Sequence, residues 1–470
     1  MRVYSLECTL RKKWRIIMKN KLQRIICCYI IFYALYSVST RFIPTAVLWE
    51  GPAADILYKS IIIGSGILSL LCLYVLRNSR KLDIQTILLG VFILVLGVSS
   101  LLNYKYELAG NILGLATFAS QLILFYFLPK ILTENRLVRC LQLTALLSSF
   151  FWNIGCIASL WQYIRNIHYT ILNPEGHRIR QGIVDGRLFG LFSDPNFAAF
   201  TSLILIFLLL FTIRKTSFFP LKIYGWTSIV LNTCYIIMSN SRTIFIAAAG
   251  TIFFTVILIT YRQHRSKEEA SLGRFFIQSV KRGVIVLAAM IAVYSLIFFP
   301  LRQIGQMLEP ERAVNDMIRE DVNTDNITNN RSTIWKNYLS LYKEKPLFGF
   351  SVRSALPYVT DKYPDNYLAK TQYVTHNGYL SLLVETGAVG FCVMGTFFLL
   401  IFLQSVRKLR QKETVSESYL FFASLTVSIL IFLICFHDVF FTVNIETMLL
   451  YIAIGYLHCA NKGSLTAQSA

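Results

Sequence analysis

Four short polar segments interrupt an otherwise apolar chain, and each carries a residue able to do chemistry. Arg187 lies in Gly186-Arg187-Leu188-Phe189-Gly190-Leu191-Phe192-Ser193-Asp194-Pro195-Asn196, which opens an apolar run. Arg242 lies in Ser239-Asn240-Ser241-Arg242-Thr243, a minimal turn between two such runs. Arg331 lies in Asn329-Asn330-Arg331-Ser332-Thr333-Ile334-Trp335, with Lys345-Pro346-Leu347-Phe348-Gly349-Phe350-Ser351 after it. His376 lies in Thr375-His376-Asn377-Gly378-Tyr379-Leu380, followed by Glu385-Thr386-Gly387-Ala388-Val389-Gly390. An arginine just before a helix N-terminus makes an anion site, because a guanidinium and backbone N–H groups then point at one place. A histidine on the same face of the protein becomes a candidate for catalysis.

Each segment also has a plainer reading. Asp194 is a good N-cap and Pro195 a good first helical residue, so punctuation accounts for both, though not for Arg187. Arg242 must sit near a membrane boundary, because at mid-membrane it would cost about 2.5–3.5 kcal/mol or more. A snorkelling arginine and a functional one fit that position equally. A lone histidine is usually structural, and what raises His376 is its company of three arginine segments. Glu385, nine residues on, would face away from it on a continuous helix, so Asn377 or a residue from another loop is the better orienting partner. Ile334, Trp335, Tyr338, Leu341 and Tyr342 share one helical face, expected to lie on lipid headgroups. The N-x-[ST] matches at Asn326 and Asn330 are chance-level, and the stretch Asp321 to Asp325 reads as solvated loop rather than a metal site.

The elements that must position these residues are transmembrane helices. The 470-residue chain is 55% hydrophobic, and its apolar runs are each long enough to cross a hydrocarbon core of roughly 30 Å. They do not alternate as barrel strands would, which leaves helices that satisfy their own backbone polar groups. Spans are expected near 25–40, 60–76, 84–103, 109–129, 140–163, 197–213, 223–239, 243–261, 283–300, 387–404, 418–436 and 439–459, about twelve in all. The fold class is therefore an all-α integral membrane protein with a large extracytoplasmic loop containing short helices. Residues 1–24 form a basic cytoplasmic arm, and 25–470 a single polytopic domain with outer loops at 164–196 and 301–375. The N-terminal run lacks a convincing cleavage site and reads as an uncleaved first span.

The net charge of +21 follows the positive-inside rule better than it suggests nucleic acid. Alternate loops, including the N-terminal arm, Arg262 to Arg282 and Arg407 to Lys412, hold roughly 28 of the 46 lysines and arginines, which marks them as cytoplasmic. The other short loops hold few, chiefly Arg41, Lys59, Lys105 and Arg242. Both termini are then cytoplasmic and all four chemical segments lie outside. Most of the ten cysteines, such as Cys27, Cys72 and Cys234, sit inside apolar runs without metal-ligand spacing and read as packing residues.

The four ordered segments resemble the O-antigen ligase and O-antigen polymerase superfamily of bacterial membrane glycosyltransferases. The shared pattern is R-x-x-G-x-F-x-D-P-N opening a span, S-x-S-R after a later one, R-x-x-x-W followed by P-x-x-G, and H-N-x-Y-L-x-x-x-x-E-x-G-x-x-G. The match covers about the last two thirds of the chain from Gly186. Ser351 departs from it, standing where a second glycine is common. The resemblance implies a donor glycan on undecaprenyl pyrophosphate, a glycan acceptor, the inner-membrane bilayer and no cofactor or metal. Other membrane proteins of polysaccharide assembly are further implied partners. It assigns Arg187 and Arg331 to the pyrophosphate with Arg242 third, His376 to proton abstraction, and Asn196, Asn377 and Tyr379 to substrate binding. The implied product is a surface polysaccharide, made by a polymerase or, with a lipid core or protein as acceptor, by a ligase. A flippase or transporter is the competing class, disfavoured because the two halves of the chain are unlike.

The charge sorting fixes a topology that impermeant cysteine labelling in a cysteine-free background will read. A cysteine near Asp325 is expected to label in intact cells and one near Lys267 only after permeabilisation. The reverse pattern would invert the assignment.

Overall fold

The computed structural model describes residues 2–46, 51–77, 83–172, 178–265, 272–308, 330–411, 415–436 and 440–463. Of the described residues, 81% are helical. Its helices are α1 (Arg2–Ser39), α2 (Ile43–Ala46), α3 (Pro52–Leu76), α4 (Ile84–Leu102), α5 (Leu108–Ile131), α6 (Glu134–Ile164), α7 (Pro195–Lys215) and α8 (Phe219–Ser239). There follow α9 (Arg242–Arg265), α10 (Leu272–Leu308), α11 (Arg331–Tyr342), α12 (Ser351–Lys362), α13 (Tyr367–Thr371), α14 (Gly378–Arg410), α15 (Glu417–Phe432) and α16 (Ile445–Asn461). Three strands, β1 (His168–Leu172), β2 (Arg178–Val184) and β3 (Arg187–Gly190), lie between α6 and α7.

A helix coincides with each of the twelve expected spans. Among the described residues nine are long and apolar enough to cross a membrane. The other three are α8, with Lys222 in its first turn, and the short α15 and α16. The count of twelve is therefore not carried by length and composition. Burial shows why α16 needs little apolar length: every residue from Ile445 to Ala460 is buried, so it runs through the protein's centre rather than against lipid. α10 is its opposite, with none of its most apolar stretch buried, as suits a lipid-facing helix.

Several polar side chains inside the bundle pair with each other across helices, as an apolar interior favours. Trp152 Nε1 donates to Ser202 Oγ at 2.9 Å, joining α6 to α7. Asn153 Nδ2 donates to Ser228 Oγ at 2.6 Å, and Asn232 Nδ2 to Asn153 Oδ1 at 3.1 Å, joining α6 to α8. One end of the bundle is tied by Asp83, which caps α4 and binds His458 Nε2 at 3.0 Å and Lys462 Nζ at 3.1 Å. The other end gathers all four chemical segments.

Two sequence expectations change here. The all-α reading places no strands in outer loop 164–196, but the loop folds into an antiparallel sheet in the order β1-β2-β3. Its second hairpin turns at Asp185 and Gly186, both at positive φ (49° and 68°), as a type I′ turn requires. The aromatic stripe of α11 faces protein rather than headgroups. Ile334, Tyr338 and Leu341 are buried in a second core with Phe350, Val359, Leu368, Leu380 and Val384. A helix too short to span still buries its stripe when α12–α14 offer a matching apolar face. The readings made at Asp321, Asp325 and Asn326 lie outside the described residues.

This second core is fastened to the bundle at a break in α14. Gly387 interrupts the helix at φ 66°, freeing backbone groups that the Pro346–Gly349 loop satisfies. Ala388 N donates to Pro346 O at 2.7 Å and Val389 N to Leu347 O at 3.2 Å, while Phe350 N donates to Val384 O at 2.8 Å. A Cβ at Gly387 would fall 2.2 Å from Leu347 O. Ser351, the departure from the family pattern, has φ 64° and bonds Ser100 Oγ at 2.8 Å. The turn is thus the one a glycine would make, with a hydrogen bond offsetting its strain.

Gly387→Ala is expected to lose at least about 2 kcal/mol, from left-handed strain plus the clash. Ser351→Gly should be near neutral, because relief of about 1 kcal/mol of strain matches a lost hydrogen bond of about 1 kcal/mol. Ser351→Ala loses the bond and keeps the strain, so it should fall below both Gly and wild type. Thermal unfolding of the detergent-solubilised protein ranks them, and a Gly387→Ala variant as stable as wild type would contradict the close approach.

Candidate functional site

The Asp185–Gly186 turn presents Arg187 as the first residue of β3, where its side chain is half-buried. Arg187 Nε donates to Ser239 O at 3.0 Å and Nη2 to Asn196 Oδ1 at 2.9 Å. Ser241 Oγ donates to the same Asn196 oxygen at 2.8 Å. One amide therefore joins the β3 arginine, the start of α7 and the α8–α9 turn, bringing the first two sequence segments into contact. Arg242 follows Ser241 directly and is exposed as the first residue of α9.

Asp194 is the N-cap of α7, and its Oδ1 accepts from Asn196 N and Phe197 N, both at 2.8 Å. Those amides are thereby spent on a carboxylate. An anion at this helix start would therefore have to be met by guanidinium groups rather than by these backbone donors.

Arg331 begins α11, and its guanidinium lies 5.9 Å from the centroid of Phe436, just after α15. Phe436 packs edge-on against Phe197 at 4.7 Å, so two rings separate Arg331 from the Asn196 junction. One helical turn along α11, Trp335 Nε1 donates to Thr375 O at 3.0 Å, fixing the carbonyl just before His376. His376 is half-buried with φ 48°, a left-handed conformation uncommon outside glycine. Its ring lies 6.4 Å from that of Tyr373. After it, Asn377 caps α14 by accepting from Tyr379 N and Leu380 N at 3.0 Å. Gly378 N donates to Leu433 O at 2.7 Å, and the Tyr379 hydroxyl to Leu430 O at 2.8 Å. The bonds of Gly378 and Tyr379 thus anchor the start of α14 against the end of α15, while those of Asn377 cap α14 itself.

One residue at this end was not singled out by sequence. Arg41, between α1 and α2, forms a two-pronged ion pair with Glu446, Nη1 and Nη2 each 2.9 Å from a carboxylate oxygen. The Glu446 side chain is 1% exposed. Thr201 Oγ1 accepts from Arg41 at 2.7 Å and donates to Glu446 at 2.9 Å. The guanidinium lies 4.8 Å from the centroid of Phe197, and Arg41 O accepts from Ser193 N. Arg41 therefore holds the whole Ser193–Asn196 segment from below. Its presence among the few basic residues of the sparsely charged loops was the available signal.

Farther out, Lys345 Nζ donates to Asn103 Oδ1 at 2.5 Å and lies 4.9 Å and 4.8 Å from the ring centroids of Phe350 and Tyr358. Burial pushes its ammonium below the ordinary lysine range. This contact ties the α11–α12 loop to the α4–α5 loop. Among the described residues no group of three or more His, Cys, Asp or Glu could hold a metal ion.

The molecule is an integral membrane protein with a polar, arginine-bearing site at one end of its helices and a small helical cap over it. Residues 227–395 match the family described as O-Antigen ligase, a stretch running from α8 into α14 and holding Arg242, Arg331 and His376. Over that stretch, which is less than half of the chain, the protein is similar to the O-antigen ligase and polymerase superfamily, whose members are membrane glycosyltransferase-like enzymes. It matches no curated protein. Arg187 and Asn196 lie outside the matched stretch and join it through Ser239 and Ser241, and Arg41 lies outside it beside Ser193 and Phe197.

Breaking the Arg41–Glu446 pair from either side leaves a buried charge unmatched, so Arg41→Ala or Glu446→Ala should each cost about 3–5 kcal/mol. The apolar pair Arg41→Met with Glu446→Leu should recover most of that stability. Unfolding curves for the three variants decide it, and single variants as stable as wild type would remove the pair's structural role.

Proposed function

We propose that this protein is a surface-polysaccharide polymerase, transferring undecaprenyl-pyrophosphate-linked glycan to an acceptor sugar hydroxyl at the outer face of the cytoplasmic membrane. The observation that carries the reading is the assembly of two arginines and a histidine, from three separate segments, at one end of an apolar bundle. Arg187 reaches it through Asn196, Arg331 through Phe436 and Phe197, and His376 through Trp335. The clustering of basic residues in loops at the other end supports an outward-facing site.

In this reading Arg187 and Arg331, with Arg242 nearby, bind the pyrophosphate and stabilise the charge that grows as it leaves. His376 Nδ1 or Nε2 takes the proton from the acceptor hydroxyl. The acceptor oxygen attacks the anomeric carbon, the bond from that carbon to the phosphate oxygen breaks, and undecaprenyl pyrophosphate departs. Attack opposite the leaving group inverts the anomeric centre through an oxocarbenium-like state. No step calls for a nucleotide sugar or a metal. The description of the matched family favours a second reading, ligation. That reaction differs only in its acceptor, a lipid core or a protein.

Protein in nanodiscs, supplied with lipid pyrophosphate-linked oligosaccharide, separates the two roles. His376→Ala and His376→Gln should each lower transfer about 10²–10⁴-fold with donor binding unchanged. Arg187→Lys and Arg331→Lys should weaken donor binding, because lysine keeps the charge but loses the planar fork. Near-normal transfer by His376→Gln would end the general-base role, and full activity of both lysine variants would end the pyrophosphate assignment.

A further inference from the structure

Between the cap and the bundle lies a partly open cavity of about 120 Å³. Its polar lining comes from Tyr338 of α11, Arg353 of α12, Thr375, Ser381 and Glu385 around the start of α14, and Thr442 before α16. Leu356, Val384 and Phe441 supply apolar wall. Thr375 directly precedes His376, and its hydroxyl pairs with that of Ser381. The cavity thus opens beside the backbone that presents the histidine. On a continuous helix Glu385, two and a half turns from His376, would face away from it. The structure puts it instead on the cavity wall with Ser381, one turn apart on α14.

We propose that this cavity is the acceptor subsite, holding a neutral, hydroxyl-bearing sugar of the incoming glycan with Glu385 accepting its hydroxyl hydrogen bonds. The inference rests on the transferase reading above and adds where the acceptor binds. Charge distinguishes the two substrates. A pyrophosphate calls for guanidinium groups such as those of Arg187 and Arg331, whereas this lining holds one arginine and one carboxylate and so carries no net charge. Hydroxyl groups paired with a carboxylate, over apolar walls, are the lining a sugar ring satisfies: its O–H groups donate to the carboxylate and its C–H face covers the aliphatic and aromatic surface. The Tyr338 hydroxyl donates to Tyr373 O at 2.9 Å, so it shapes the wall while Glu385, Ser381 and Thr442 meet the ligand. Next to the subsite, His376 is placed to receive the acceptor's proton without touching the donor's phosphates.

Two variants test this in the full-length protein in nanodiscs. Glu385→Gln removes the carboxylate at constant size, and Ala355→Leu fills the cavity from α12, where Ala355 lines it without a polar role. The donor is the lipid pyrophosphate-linked repeat unit extracted from cells lacking this protein. The acceptor is the same repeat unit released from its lipid by mild acid and titrated as a free oligosaccharide. Both variants should raise the KM for that acceptor at least tenfold, with donor binding within twofold of wild type. An unchanged acceptor KM in Ala355→Leu, or weakened donor binding with acceptor KM unchanged, would overturn the subsite. If those outcomes arise while His376→Ala still abolishes transfer, the transferase reading stands and only the acceptor site falls. Wild-type protein that transfers nothing to either the free or the lipid-linked acceptor would remove both.

Discussion

Burying a charge in an apolar bundle costs several kcal/mol unless it is paired and hydrogen-bonded. This chain meets that condition at Arg41 and Glu446, and much of the site end is organised around the pair. The two side chains come from residues 405 positions apart, so forming the pair brings the end of α1 to the start of α16. Thr201 completes it from α7. Because Arg41 O also accepts from Ser193 N, the same residue sets the height at which Asp194 caps α7 and Asn196 meets Arg187. A central helix as fully buried as α16 offers few polar groups, and Glu446 in its first turn also faces the favourable end of the helix dipole.

The cap is attached by a second device, backbone rather than charge. α14 breaks at Gly387, and its freed amides receive the Pro346–Gly349 loop, so the short helices α11–α13 dock without needing a large apolar footprint. Several residues near the site adopt positive φ without being glycine: Asp185, Asn240, Asn330, Ser351 and His376. Each lies beside one of the four chemical segments. Such conformations survive only where surrounding bonds over-determine them. Here those bonds are the Asn196 junction, the Trp335 bond to Thr375 O and the Ser100–Ser351 hydroxyl pair.

In the proposed reading, the two devices separate donor binding from proton transfer. The guanidinium groups of Arg187 and Arg331 sit on bundle and cap respectively, with aromatic rings between them. His376 sits at the seam where cap and bundle join. A donor with a long apolar tail can lie along the helices and reach the arginines from the membrane side. The Glu385 cavity opens between cap and bundle, where the proposed acceptor, a ligand of opposite chemistry, would enter. A reaction between a charged lipid-linked donor and a neutral acceptor needs two unlike approaches of this kind, converging on one base.

Much of this was legible in the residues alone. The apolar runs located helices for all twelve segments, because in a membrane each run must satisfy its own backbone. Asp194 as N-cap and Pro195 as first helical residue were equally local facts. The four polar segments pointed to Arg187, Arg331 and His376 because polar residues are rare enough in such a chain to be noticed. Local pattern also held the Asp185–Gly186 turn, but the run of apolar spans around it hid the sheet. The partners were decided only by tertiary structure. Nothing near Arg41 in sequence names Glu446, nothing near Arg187 names Ser241, and the α11 stripe does not say whether lipid or protein covers it. Helical spacing alone would turn Glu385 away from His376, yet it lines a cavity with Thr375 because other elements close the remaining walls. Helix formation is a balance of short-range terms that a sequence carries openly, whereas pairing across a bundle depends on which distant segments the packing brings to the same end.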